Sequence, residues 1–289
     1  MTSSHNPLRE VAHLEIGHSH GPITRLVSPS DLGEQLKPFI FLDYFNASIE
    51  PGFGFPMHPH SGIATLTWQP GTDVAYQDTT GQHGVLKAGG LEWMNAGGGA
   101  WHKASLMGSG HVSGFQLWVA MPPGVENGPA QGQYVAPENV PAVAVPGGEV
   151  KVLLGCLMAP DSDQALATSA IASHQDMNYF VVQLQAGARW TYTPPQAHDV
   201  AFAVGFSGEP VVNGTRLQHT LAVLGNSGAV EISAPGGAVQ VLLGTAAKHP
   251  WDLVLGTSSV HTSKAALAQG LATIRAIGTD LQRAGKLHE

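Results

Sequence analysis

The feature that most constrains this chain is how it is punctuated. Gly occurs 36 times and Pro 20 times in 289 residues, and they fall between short apolar runs rich in β-branched and aromatic residues. Pro38-Phe39-Ile40-Phe41-Leu42-Asp43-Tyr44-Phe45, Ile63-Ala64-Thr65-Leu66-Thr67-Trp68 and Phe115-Gln116-Leu117-Trp118-Val119-Ala120 are three such runs. Short runs bounded by turn residues read as strands, and the first of these is apolar enough to be buried on both faces. Regular spacing of short strands builds a β sandwich or barrel. The fold class expected is therefore all-β.

The second half repeats the texture of the first. Glu149–Leu154, Tyr179–Leu184, Val200–Val204, Leu221–Leu224 and Val239–Leu243 are short apolar runs, with turns at Gln185-Ala186-Gly187, Asn213-Gly214 and Pro235-Gly236-Gly237. Residues 122–148, rich in Pro, Gly, Gln and Ala, read as a linker. Two β domains are expected, 1–130 and 131–289, of similar build and consistent with duplication. One segment breaks the pattern. Thr262 or Ser263 caps a helix running to about Ile277, with Leu267, Leu271, Ile274 and Ile277 at helical spacing.

Charge excludes some partners. Charged residues are only 12 % of the chain and the formal net charge is -8. No cluster of Lys and Arg is present to meet a phosphate backbone, so no nucleic-acid partner is expected. No apolar stretch is long enough to span a membrane, and the polar start Met1-Thr2-Ser3-Ser4 is not a signal peptide, so a cytoplasmic protein is expected. Cys156, the one cysteine, lies in an apolar run and reads as a buried small hydrophobe.

Chemistry concentrates at Met57-His58-Pro59-His60. Residues i and i+2 of an extended chain share a face about 7 Å apart, so His58 and His60 can aim at one ion. His102 follows the glycine run Gly97-Gly98-Gly99 and completes a candidate trio. With 15 histidines in the chain, one such pair also arises by chance. A second pair, His18 and His20, abuts the turn Gly21-Pro22 and reads as surface sequence. His174, His198 and His219 sit singly, and no metal is assigned to them.

Taken together, these segments resemble the pirin family of the cupin superfamily, over nearly the whole chain. Phe39–Phe45 resembles the family's strand before the metal loop, and Phe55–Gly62 its HPH-x-G segment. Leu91–His102 resembles its QWMTAG-x-G-x-x-H segment, Gln116–Val119 its QLWVNLP strand, and His249-Pro250-Trp251 with the final helix its C-terminal region. The resemblance implies two cupin β barrels with a C-terminal helix, the first binding metal and the second having lost it. It implies three histidine ligands, His58, His60 and His102, for one divalent ion: iron first, with zinc, nickel, copper or manganese also fitting.

It also implies a glutamate ligand two residues after the third histidine, where this chain has Ala104. A second acidic position of the family is occupied by Ala64. Both departures are expected to remove a carboxylate from the cavity. Glu92, where the family usually has Gln, either turns inward to replace one, faces solvent or supports a ligand from behind. It is also the sequence's only candidate for a catalytic base.

The family includes quercetinases, dioxygenases that open the central ring of a flavonol and release carbon monoxide. A flavonol or similar small aromatic substrate is one expectation, with Phe53, Phe55, Trp68, Trp93 and Trp101 available to shape an apolar mouth. Barrel core is the preferred place for Trp68 and Trp93. The other expectation is a regulatory pirin, metal-dependent or metal-independent, that binds a protein partner.

Overall fold

The structure is a computed structural model, and it describes residues 7–50, 52–160 and 162–287. The polar start of the chain lies outside the described residues. The chain divides into two compact units. One comprises His18–Asn139 with the segment from His249 onward; the other comprises the described residues up to Gly17 with Val140–Lys248.

The His18–Asn139 unit carries the candidate trio. Its larger sheet has seven strands, in the order Gln131–Val135, Leu91–Asn95, Ile63–Trp68, Gly110–Ala120, Phe39–Ile49, Ile23–Val27 and His18–His20. Its smaller sheet has four, Gly54–His60, Ala100–Leu106, Val74–Asp78 and His83–Leu86. All pairings are antiparallel. Phe39 to Tyr44 are all buried, as the apolar run requires.

The other unit has the same division. A seven-stranded sheet is built around Met177–Leu184 and Val239–Ala246, and a four-stranded sheet around Val230–Ser233. Phe180, Val182, Val241, Leu243 and Ile232 are buried together between them. The Asn213-Gly214 turn joins Val211–Val212 to Thr215–Arg216, with both residues at positive φ, as a two-residue hairpin demands.

A single cut near residue 130 does not describe this division. The segment read as linker supplies the edge strand Gln131–Val135, which pairs with Leu91–Asn95. Tyr134 stacks on Tyr76 at 3.5 Å, and its hydroxyl donates to Asp78 Oδ2 at 3.0 Å. The first described strand pairs with residues distant in sequence. Val11–Glu15 forms the edge of the larger sheet of the Val140–Lys248 unit, against Thr220–Leu224. Buried Arg9 pins this strand by donating to the carbonyls of His198, Gly225 and Gly228 at 2.6, 3.0 and 3.0 Å.

The C-terminal helix spans Lys264–Arg283, with Ser263 as its N-cap. It runs six residues beyond the expected end at Ile277. A glycine at 278 signals a helix end by propensity, but here packing carries the helix through it. The buried face is Gly270, Ile274 and Gly278; the larger Leu267, Leu271 and Ile277 are only half-buried. The glycines make room. A Cβ at Gly278 would lie 2.7 Å from the Trp101 ring, and one at Gly270 2.5 Å from Ser61 Oγ and His261 Nε2. A short helix at Leu32–Leu36 was not legible in the sequence. Cys156 is half-buried rather than buried, with Sγ 3.3 Å from Met158 Sδ.

The fit at Gly270 has a measurable consequence. Ala is better than Gly in a helix interior by about 1 kcal/mol. Overpacking against rigid neighbours costs about 1–3 kcal/mol, and His261 and Ser61 are both buried and bonded. Gly270→Ala is therefore expected to lower the thermal midpoint by calorimetry. A raised midpoint would show that propensity wins and that the contact is loose.

Candidate metal centre

His58 and His60 end the Gly54–His60 strand, and His102 lies on its antiparallel neighbour Ala100–Leu106. The register sets His102 directly opposite His58 and Ala100 opposite His60. One pair is thus cross-strand and the other diagonal, the two arrangements that bring side chains together on one face of a sheet. Ring centroids are 4.5 Å apart for His58 and His102, 4.9 Å for His58 and His60, and 5.2 Å for His60 and His102.

The ladder slips beyond His102, where Ala104 two residues on pairs with Phe55. Three steps on one strand then match two on the other, so the extra residue lies between Phe55 and His58. Pro56 sits there and has no N–H to give the ladder, which is where a bulge is tolerated. Gly62 closes the strand at φ +77°, a conformation that disfavours a side chain.

Each imidazole is held by its far nitrogen. His58 Nδ1 lies 2.8 Å from the Pro56 carbonyl, and His60 Nδ1 2.9 Å from the Ser258 carbonyl. His102 Nδ1 lies 2.9 Å from Glu92 Oε1, both side chains being buried. A carbonyl or carboxylate oxygen only accepts, so each of these three nitrogens carries a proton, and in the neutral ring Nε2 keeps the lone pair. The Nε2 atoms of His58 and His102 face one another at 3.1 Å. Between two neutral imidazoles with their protons on Nδ1, two lone pairs at that distance do not bond. His60 Nε2 is buried with no hydrogen-bond partner at all.

Burial disfavours the charged form at His58 and His60. Burial, reinforced by neighbouring His102, pushes His58 down from 6.5 to about 4, and burial pushes His60 well below its ordinary value. Ligand nitrogens of the three histidines lie within 4.8 Å of one another, the one such grouping found among the described residues. Neutral imidazoles with converging lone pairs are the donor set a divalent ion needs. The residues therefore fit a metal.

The anchors themselves are braced. Ser258 belongs to a segment tied to the His60 strand, with Ser61 Oγ donating to Ser259 Oγ at 2.9 Å and lying 3.0 Å from His261 Nε2. Glu126 holds the same segment, accepting from the Thr262 N–H and hydroxyl at 2.6 Å each, with His261 Nδ1 at 3.2 Å. The acid–His–Ser row has the order of a nucleophilic triad. Its members are all at most 3 % exposed, however, and Gly270 packs against Ser61 and His261. It is a clamp that sets the Ser258 carbonyl on His60.

The remaining expected residues divide. Ala104 lines a cavity with His58, His102, Glu92, Phe53 and Phe55. Ala64 does not. Thr65 pairs with Trp118 and Thr67 with Glu92 and Gln116, residues of the cavity side, so Ala64 points to the opposite face of the sheet. A carboxylate at 64 would not reach the trio. Trp68 and Trp93 are buried on that opposite face. Trp101 alternates away from its neighbour His102 and donates Nε1–H to the Ile274 carbonyl at 2.9 Å, so it packs on the helix and does not shape the mouth. Glu92 stands behind His102, on the far side from the converging Nε2 atoms.

The Pirin family model matches residues 22–119. A protein of Pseudomonas aeruginosa, named provisionally as a quercetin 2,3-dioxygenase, is 33 % identical over 258 residues, covering 84 % of this chain and 88 % of its own. The chain belongs to the pirin family. A quercetin 2,3-dioxygenase from Acinetobacter baumannii shares the fold with a TM-score of 0.82 at 24 % identity, over 97 % of this chain and 99 % of that one. A bacterial pirin from Escherichia coli, solved in complex with nickel(II), superposes with a TM-score of 0.62 at 19 % identity, covering 82 % and 99 %. For this pirin, the likeness to the two solved structures establishes the fold.

Two measurements follow from the far-side anchors. Partners behind a ligating histidine are worth about 10–100-fold in metal affinity. Glu92→Ala is expected to weaken metal binding by that factor in chelator competition, and Glu92→Gln, which still offers an acceptor oxygen, by less; equal affinities would remove Glu92 from the account. In metal-free protein, the unfolded chain takes up protons below 6.5 that folded His58 refuses until about 4. Stability is then expected to be flat above 6.5 with respect to this group and to fall as pH drops from 6.5 towards 4. His58→Asn should shallow that fall in thermal melts; an unchanged slope would contradict the assignment.

Proposed function

We propose that this pirin binds one divalent metal ion through the Nε2 atoms of His58, His60 and His102, and acts on a flavonol-type substrate as a quercetin 2,3-dioxygenase does. The observation that carries the reading is the set of three Nε2 lone pairs turned towards one another while every Nδ1 is engaged elsewhere. The named activity of the Pseudomonas relative supports the substrate class. A bound ion would supply Lewis-acid chemistry, polarising the substrate's deprotonated 3-hydroxyl oxygen. The three histidines hold it, and Pro56, Ser258 and Glu92 hold the histidines. Phe55, about 40 % exposed, lines a groove of about 350 Å³ beside His58 and His60 and offers an apolar rim for a flat ring system. Iron is the first choice of ion, with nickel, zinc, copper or manganese as alternatives. Balanced, the reaction consumes one flavonol and one dioxygen and releases one depside and one carbon monoxide.

Ala104 favours a second reading. With no carboxylate on the trio, three neutral imidazoles leave the full dipositive charge on the ion, which suits an anionic ligand but supports higher oxidation states less. The protein would then be a metal-dependent regulatory pirin that binds a protein partner.

Elemental analysis of tag-free protein, beside His58→Ala, and a carbon monoxide assay with quercetin separate these readings. Near-stoichiometric metal, lost in the variant, with carbon monoxide released in step with quercetin consumed, is the expected result. Metal without turnover leaves the regulatory reading. No metal in either protein after reconstitution overturns both.

A further inference from the structure

The histidine trio is bordered by two adjoining spaces of different size, whose linings share Ile23, Phe55, His58 and Gln116. One is the cavity beside Ala104, about 50 Å³ in volume. A water-sized molecule needs roughly 10–15 Å³ on this measure, so the cavity has room for a few small molecules and none for a fused ring system. The surface turned into it is almost wholly apolar, supplied by Phe45, Val74, Ala104 and Leu106 among others. The other space is a groove of about 350 Å³, within the range of roughly 300–1,000 Å³ that organic ligands occupy. His102 borders only the cavity, His60 only the groove, and His58 both.

The groove is lined by aromatic rings and by the polar groups of Arg25, Asp43 and Gln116, so it offers apolar contact and hydrogen-bond partners together. Phe41 and Trp118 are stacked at 4.1 Å with 8° between their planes, and the Arg25 guanidinium lies 3.9 Å over Phe41. Trp118 meets His60 edge-on at 5.0 Å. Arg25 is also paired with Asp43, so it is held in place over the stack.

We propose that the two spaces divide the reactants: the Ala104 cavity receives a small uncharged apolar molecule, dioxygen, and the Arg25–Phe41–Trp118 groove receives the organic substrate. This rests on the dioxygenase reading for the identity of the ligands, but not for the existence of two sites. The small side chain at 104 is what keeps the cavity open. A longer one there would project into the space that His58 and His102 border. Apolar surface in a cavity of this size takes up inert gases such as xenon, so xenon reports the first site without turnover or metal.

The experiment is a pair of binding measurements on the full chain. Xenon is located by pressurised-crystal diffraction, and quercetin affinity is read by tryptophan quenching of metal-loaded protein. Xenon is expected between Ala104, Phe45, Val74 and Leu106, absent in Ala104→Leu, with quercetin affinity changed less than threefold. Ala104→Val, a smaller filler, guards against a misfolded Leu variant and should reduce xenon occupancy with metal stoichiometry intact. His20→Trp, at an exposed position on the groove rim, should weaken quercetin tenfold or more and leave xenon in place. Xenon absent from the wild-type cavity, or Ala104→Leu weakening quercetin as much as His20→Trp, overturns the division. Carbon monoxide release with no xenon site would sink this inference and leave the dioxygenase reading standing; a xenon site without carbon monoxide release would do the reverse for that reading while keeping the cavity.

Discussion

Everything distinctive about this site depends on three hydrogen bonds that are not in it. Pro56, Ser258 and Glu92 each take the Nδ1 proton of one histidine. Without them each imidazole could present either nitrogen and rotate. With them, each Nε2 is a fixed lone pair, and the three point into a common space. A buried acceptor left without a partner costs about 1–3 kcal/mol, and the fold maintains this at His60 and holds two nitrogens 3.1 Å apart at His58 and His102. An ion at about 2.0–2.1 Å from each nitrogen would relieve both.

The anchors explain why distant segments are packed where they are. His60 depends on a carbonyl 198 residues away, and that carbonyl depends on the Glu126–His261–Ser61 clamp and on a helix that meets it through Gly270. A larger side chain at Gly270 would push on Ser61 and His261, next to His60. The terminal helix therefore supports the metal-side strand, which is why its contact face is small rather than large.

Parts of this were legible in the sequence for simple reasons. Period-2 alternation put His58 and His60 on one face, and the glycine run before His102 marked a turn into a neighbouring strand. The same alternation places Trp101 opposite His102, on the helix side, and Ala64 on the far face from Thr65 and Thr67; both follow from the pleat once strand pairing is known. The anchors were not legible. Ser258 is a carbonyl whose partner is set by a long-range parallel bridge between Ser61 and Ser259, and no local pattern encodes it. Glu92 was visible as a carboxylate, but only the pairing of Leu91–Asn95 with Ile63–Trp68 shows that it stands behind His102. The edge strand Gln131–Val135 hid in a Pro- and Gly-rich stretch because edge strands need few apolar residues.

In the proposed centre, imidazole nitrogens alone would hold the ion on the protein side. X-ray absorption spectroscopy of the iron- or nickel-loaded protein tests it most directly. Three imidazoles, with their characteristic outer-shell scattering and first-shell distances near 2.0–2.1 Å, and no protein carboxylate beyond light-atom ligands removable by exchange, are the expected result. A spectrum with one imidazole or none, or one unchanged in His102→Ala, would contradict it.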